Sequence, residues 1–170
     1  EIIPLVLRDY RNEVGGIYRH SNNFFVNRWV VEQRKKNTTP IQIRKGSSGA
    51  REMLSLLKKN GTIAMLVDQK LSSGVEAEFF GLKSMTSDGA ASLALKYGYP
   101  VIPMNVERKK GTRFKVTFHN EIKIQKTNNN QENIKIFTTE INKFLEMCIK
   151  NKPEGWFWIH NRWDKKFNLD

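Results

Sequence analysis

The sequence holds a single cysteine, Cys148, among its 170 residues. An internal disulfide and a cysteine-based metal cluster are both excluded, which suits a reducing compartment. Three histidines, His20, His119 and His160, are scattered along the chain, and none has the spacing of a zinc ligand set. Long apolar runs are missing too. The stretches from Ile2 to Leu7 and from Ile63 to Val67 are far too short to cross a bilayer. No repeat, interdomain linker, signal peptide or lipidation motif is visible. Acid is scarce relative to base: 17 acidic against 29 basic residues leave a net charge of +12. The excess is concentrated between Arg28 and Lys59, where nine basic residues face only Glu32 and Glu52. Such a bias favours a polyanionic partner, whether nucleic acid, an anionic membrane surface, a phosphorylated substrate or an acidic protein.

What is present is enough for a core. A hydrophobic content of 39% over this length suits one domain spanning residues 1–170. The pattern alternates helices and strands. Ile2 to Tyr10 reads as a helix with Pro4 in its first turn. Gly15-Gly16 leads into a short strand through Tyr18-Arg19, and Asn22 or Asn23 caps a helix running through Trp29 to about Lys36. Ile41-Gln42-Ile43 alternates as a strand, and Ser47-Ser48 opens a helix through Met53, Leu54 and Leu57 that Asn60-Gly61 closes. Ser87-Asp88 caps a helix from Gly89 to Tyr97. A strand over Val101 to Val106 and a clean alternation over Phe114 to Phe118 flank a hairpin turn at Arg108 to Gly111. A last long helix aligns Ile134, Phe137, Ile141, Phe144, Leu145 and Cys148 on one face, where Cys148 reads as a small core residue. This order predicts an α/β layered domain with a mixed central sheet flanked by helices.

One stretch invites a functional reading. Ile63-Ala64-Met65-Leu66-Val67 reads as a buried strand that breaks onto Asp68-Gln69, and the carboxyl ends of such strands are where α/β sheets bind ligands. A Gly-containing loop is expected next, then Glu78-Phe79-Phe80-Gly81 and Thr86. Three further clusters stand beside it. Tyr18-Arg19-His20 sits at a strand end, where a planar guanidinium grips phosphate or carboxylate well, although a surface ion pair fits the spacing equally. Val101-Ile102-Pro103 is ordinarily just strand. Pro153-Glu154-Gly155-Trp156-Phe157-Trp158-Ile159-His160-Asn161-Arg162-Trp163 packs its aromatics densely, as a lid on the core or as a surface against lipid headgroups.

Taken in order, Tyr18-Arg19, Asn23, Arg34, Asp68-Gln69, Phe79-Phe80-Gly81, Thr86, Ile102-Pro103, Arg108 and the run from Pro153 to Trp163 resemble the lipid A biosynthesis (late lauroyl/myristoyl) acyltransferases of Gram-negative bacteria. The resemblance spans nearly the whole chain and implies a glycerophosphate-acyltransferase-like layered fold. It implies transfer of an acyl group from an acyl carrier protein thioester to a hydroxyl of a phosphorylated lipid A precursor, at the cytoplasmic face of the inner membrane. No metal or cofactor is implied beyond the donor's phosphopantetheine arm. By the same resemblance Glu1, Arg19 and Asp68 are the expected catalytic residues, and Arg34, Gln69, Phe80 and Arg162 the expected substrate contacts. Acyl carrier protein, the lipid A precursor and an anionic membrane surface are the expected partners, with no nucleic acid.

The sequence departs from the family at its base. Family members carry a His-x-x-x-x-Asp/Glu motif, but His20 leads to Phe25, His119 to Ile124 and His160 to Lys165. Glu1 stands at the distance before Tyr18-Arg19 at which the family has the motif's acid. The expectation is therefore that the catalytic histidine and a membrane anchor precede Glu1 in a longer protein, leaving this piece alone inactive. Three other readings stay open at this point. The acceptor can be another glycolipid or a phospholipid, the chain can be a basic α/β nucleic-acid-binding module, or it can be a scaffold that kept the fold without the activity. The clustering of aromatics in apolar company counts against the nucleic-acid module, which needs them interleaved with lysines on an exposed sheet.

Overall fold

The computed structural model describes residues 2–10 and 13–163, and Glu1 lies outside them. The chain is α/β, and it divides into two compact units, Glu1–Leu66 and Val67–Asp170.

The first unit is built on a parallel sheet. Strand β1 (Val14–Tyr18) lies between β2 (Ile41–Arg44) and β3 (Thr62–Ala64), pairing with both in parallel. Parallel neighbours need crossovers. Helix α2 (Phe24–Asn37) carries the chain from β1 to β2, and α3 (Ser47–Lys58) carries it from β2 to β3, while α1 (Ile2–Tyr10) precedes the sheet. Asn23 caps α2 through its side chain, which accepts the Val26 amide at 3.1 Å. The core closes where Val14, Ile43 and Leu56 are buried together. Gly15 leaves room there: a Cβ would sit 2.7 Å from the Ile43 and Leu56 methyls, which would have to shift.

The expected strand from Ile63 to Val67 is shorter in the structure. Pairing ends at Ala64, and Leu66 is 77% exposed. The physical reason is that the apolar run serves two cores. Ile63 pairs with Gly15 in the first unit, whereas Val67 packs against the core of the second. Asp68 and Gln69 accordingly follow an irregular segment and not a strand end.

The second unit holds two antiparallel hairpins, β4–β5 (Lys70–Phe79 and Leu82–Thr86) and β6–β7 (Met104–Arg108 and Phe114–Phe118). Its helices are α4 (Gly89–Tyr97) and α5 (Asn130–Asn151), followed by a 3-10 turn at Pro153–Gly155. Ala91 and Ala94 of α4 meet Ile134, Phe137 and Ile141 of α5 in its core, as the apolar stripe of α5 anticipates. The Asn129 side chain caps α5 by accepting the amides of Gln131 and Glu132. Strand β4 replaces the expected loop: Lys70 and Val75 both oppose Thr86, so the residues between them bulge out of the ladder. Gly74 closes that bulge, since a Cβ on it would stand 1.9 Å from the Thr86 carbonyl oxygen.

Candidate active site

In the second unit, motifs far apart in sequence assemble around the β4–β5 hairpin. Its two-residue turn is Phe80-Gly81, with φ of 53° and 75°, the positive values that the mirror-image hairpin turn needs. Glycine adopts this freely, but a phenylalanine at positive φ is costly and needs surroundings that hold it. Helix α5 supplies them. A Glu146 carboxylate oxygen accepts the Phe80 amide at 2.7 Å, and Asn142 donates to the Glu78 carbonyl at 2.7 Å. The Phe79 and Phe80 rings meet edge to face at 4.9 Å, and Trp163 stacks on buried Phe79 at 5.5 Å.

Arg162 is the centre of this assembly. Its side chain is 0% exposed. One Nη donates to Ser84 Oγ and, at 3.1 Å, to the Met85 carbonyl; the other donates to Thr86 Oγ1 at 2.8 Å and to Asn142 Oδ1 at 3.3 Å. Ser84 Oγ returns a bond to the Arg162 carbonyl at 2.7 Å, and the guanidinium lies 4.7 Å above the Phe79 ring. Burial pulls the Arg162 pKa down to about 10, the charge of Asp68 opposing the fall, so the group stays cationic at neutral pH. Arg162, expected as a substrate contact, stands away from solvent in this structure. Both of its Nη groups are spent on protein acceptors away from solvent, where the side chain ties β5 to α5.

Asp68 and Gln69 open the second unit, Asp68 half-buried and Gln69 exposed. Two residues beyond Asp68, the Lys70 amide donates to His160 Nε2 at 3.1 Å. The structure thus joins the Asp68-Gln69 segment, Phe79-Phe80-Gly81, Thr86 and the run from Trp156 to Trp163 in one cluster.

Arg19 and Arg34 belong to the first unit. Arg19 directly follows β1 at the carboxyl edge of the parallel sheet and is exposed. The register adds two cations from the basic run between Arg28 and Lys59. Tyr18 is opposite Arg44, and the Lys45 amide donates to the Tyr18 carbonyl at 2.8 Å. Arg19, Arg44 and Lys45 are therefore exposed neighbours at the edge where α/β sheets receive ligands. The signal for them was the end of the Ile41–Ile43 alternation at Arg44. Arg34 lines a groove of ≈ 350 Å³ with Leu5, Trp29, Val30 and Thr38. A larger groove of ≈ 670 Å³ along α5, lined by Lys135, Lys143, Glu132 and Glu140 among others, contains none of the expected site residues.

A family profile described as bacterial lipid A biosynthesis acyltransferase matches residues 1–165. The chain belongs to that family. Among curated proteins none matches it. The chain is an acyltransferase of lipid A biosynthesis. Among the described residues of this lipid A acyltransferase, no helix is long and apolar enough to cross a membrane, and no three His, Cys, Asp or Glu side chains group as metal ligands. Cys148 is half-buried, and desolvation pushes its thiol pKa up, against nucleophilic use.

Proposed function

We propose that this acyltransferase moves a fatty acyl group from an acyl carrier protein thioester to a hydroxyl of a phosphorylated lipid A precursor, at the cytoplasmic face of the bacterial inner membrane. The hydroxyl oxygen attacks the thioester carbonyl while a general base, with Glu1 as its supporting acid, takes the proton, and the donor thiol leaves with a proton returned. No cofactor is needed beyond the donor's phosphopantetheine arm. Arg19 grips an acceptor phosphate, with Arg34 as a second anion contact. Asp68 supports the reacting groups, and Gln69 and Phe80 line the substrate.

The observation that carries the reading, in a chain of this family, is the cationic carboxyl edge of the parallel sheet, where Arg19 stands with Arg44 and Lys45. A guanidinium flanked by two further cations suits a phosphorylated acceptor better than a neutral glycolipid. The basic surplus also suits acidic acyl carrier protein and an anionic leaflet.

The test is Arg19→Ala in the intact protein, assayed with acyl carrier protein loaded with labelled acyl chain and a bis-phosphorylated acceptor. Losing a charge-assisted grip on phosphate lowers kcat/KM by about 100-fold. Arg19 is exposed, so the melting temperature is expected to stay that of the parent. Turnover equal to the parent removes Arg19 from the site.

A further inference from the structure

The aromatic run near the carboxyl end divides in the structure. Trp156 and Trp163 turn inward onto Phe79, at 5.8 Å and 5.5 Å between ring centroids. Phe157, Trp158 and Ile159 turn outward and are 65%, 54% and 85% exposed. Single exposed apolar residues are ordinary, but three in succession on one turn make a patch.

The turn is also held in shape. Trp158 donates its indole N–H to the Pro153 carbonyl at 2.7 Å and its amide to the Trp156 carbonyl at 3.1 Å, and the His160 amide bonds the Phe157 carbonyl at 3.2 Å. Behind it, His160 is tied to Lys70 and Arg162 is locked in the core. The flanks are fixed inside while the tip is presented outside.

Its neighbours say what it meets. Lys152, which directly precedes the 3-10 turn, donates to the Arg108 carbonyl at 2.9 Å and so brings the β6–β7 hairpin alongside. That hairpin carries Arg108, Lys109, Lys110 and Arg113, all exposed, while Glu107 is neutralised by Lys109. We infer that Phe157-Trp158-Ile159 is a membrane-contact tip that enters the headgroup layer of an anionic bilayer, with the basic β6–β7 hairpin bearing on the lipid phosphates beside it. Exposed Glu154 in the same turn is outnumbered by the lysines and arginines beside it, and an apolar, aromatic point with a net basic rim is the arrangement that anionic lipid interfaces select. The inference rests on the reading that the acceptor lies in a membrane, and it names the surface that faces it.

The test is partition of the full chain onto vesicles of phosphatidylcholine, with and without phosphatidylglycerol, in the absence of donor and acceptor. The parent is expected to prefer the anionic vesicles. Phe157→Ser/Ile159→Ser removes two side chains that stand in solvent, and is expected to weaken partition by about tenfold or more with an unchanged circular dichroism spectrum. Lys110→Ala is expected to cost roughly fivefold on the anionic vesicles and little on the neutral ones. As a readout independent of those variants, lipids brominated high on the acyl chain should quench the parent's tryptophan emission more than that of Trp158→Phe. Parent-like partition by the double variant, equal quenching of Trp158→Phe, or tip-dependent binding to acyl carrier protein with vesicle binding untouched would each overturn the inference. Since no turnover is measured, such a failure leaves the acyl-transfer reading standing. Tip-dependent partition in a chain that transfers no acyl group would have the reverse meaning.

Discussion

Arg162→Ala is the perturbation with the largest expected effect on stability. The substitution withdraws the donors serving Ser84 Oγ, the Met85 carbonyl, Thr86 Oγ1 and Asn142 Oδ1. Thr86 Oγ1 retains a long contact from Asn142 Nδ2 at 3.4 Å, so the uncompensated loss centres on Asn142 Oδ1 in a fully buried side chain. A buried acceptor left without a donor costs about 1–3 kcal/mol, and the space vacated by the guanidinium and its stem adds roughly 2 kcal/mol. A total of about 3–5 kcal/mol follows. Arg162→Lys keeps the charge, but a single ammonium cannot span acceptors on β5 and α5 together, so about half that loss is expected. Urea unfolding of the full chain, followed by tryptophan emission, reads the effect because Trp156 and Trp163 pack beside Phe79. The pKa of Arg162 falls to about 10 on folding, so in the window above about pH 10 the unfolded chain still holds the proton that the folded chain has released. The sign follows: the parent gains stability through that window, and its margin over the alanine variant widens as pH rises. An alanine variant within about 1 kcal/mol of the parent at neutral pH refutes the brace.

Two further substitutions probe the hairpin. Phe80→Gly relieves the left-handed backbone at φ 53° but gives up the ring contacts with Phe79 and Trp163, so stability is expected to hold within about 1 kcal/mol. If Phe80 touches substrate, acyl transfer by that variant drops by at least about tenfold, and unchanged kinetics would remove the ring from the site. Gly74→Ala places a methyl 1.9 Å from the Thr86 carbonyl oxygen, and thermal unfolding should register a loss of about 2–4 kcal/mol. A parent-like melting temperature there would mean the bulge at 70–75 is not the structure in solution.

Most helices were legible because their signals are local. Asn23 and Asn129 cap as their side chains allow, Gly98 ends α4 in the left-handed conformation, and the apolar stripe on α5 lands in the core. Strands were less legible, for reasons visible in particular residues. Ile63 to Val67 looked like one strand because residues bound for two different cores happen to be adjacent. Strand β4 was hidden because Ser72, Ser73 and Gly74 mask the alternation of Val75, Ala77 and Phe79, which points two buried residues to one face. At the site, Phe79-Phe80-Gly81 and Arg162 were recognisable as a pattern. That Arg162 faces inward was not, since its partners lie some twenty to nearly eighty positions away on Asn142 and Ser84. The pairing of Arg44 and Lys45 with the end of β1 is likewise a property of register, which a single strand does not encode.

The grip of α5 on the hairpin restricts how this region can change length. Asn142 and Glu146 stand one turn apart and reach the Glu78 carbonyl and the Phe80 amide. Inserting or deleting one residue between them turns everything downstream by about 100° and lifts one contact off its partner. Related chains should therefore vary in length at the polar linker ahead of Asn130, and hardly at all between these two positions.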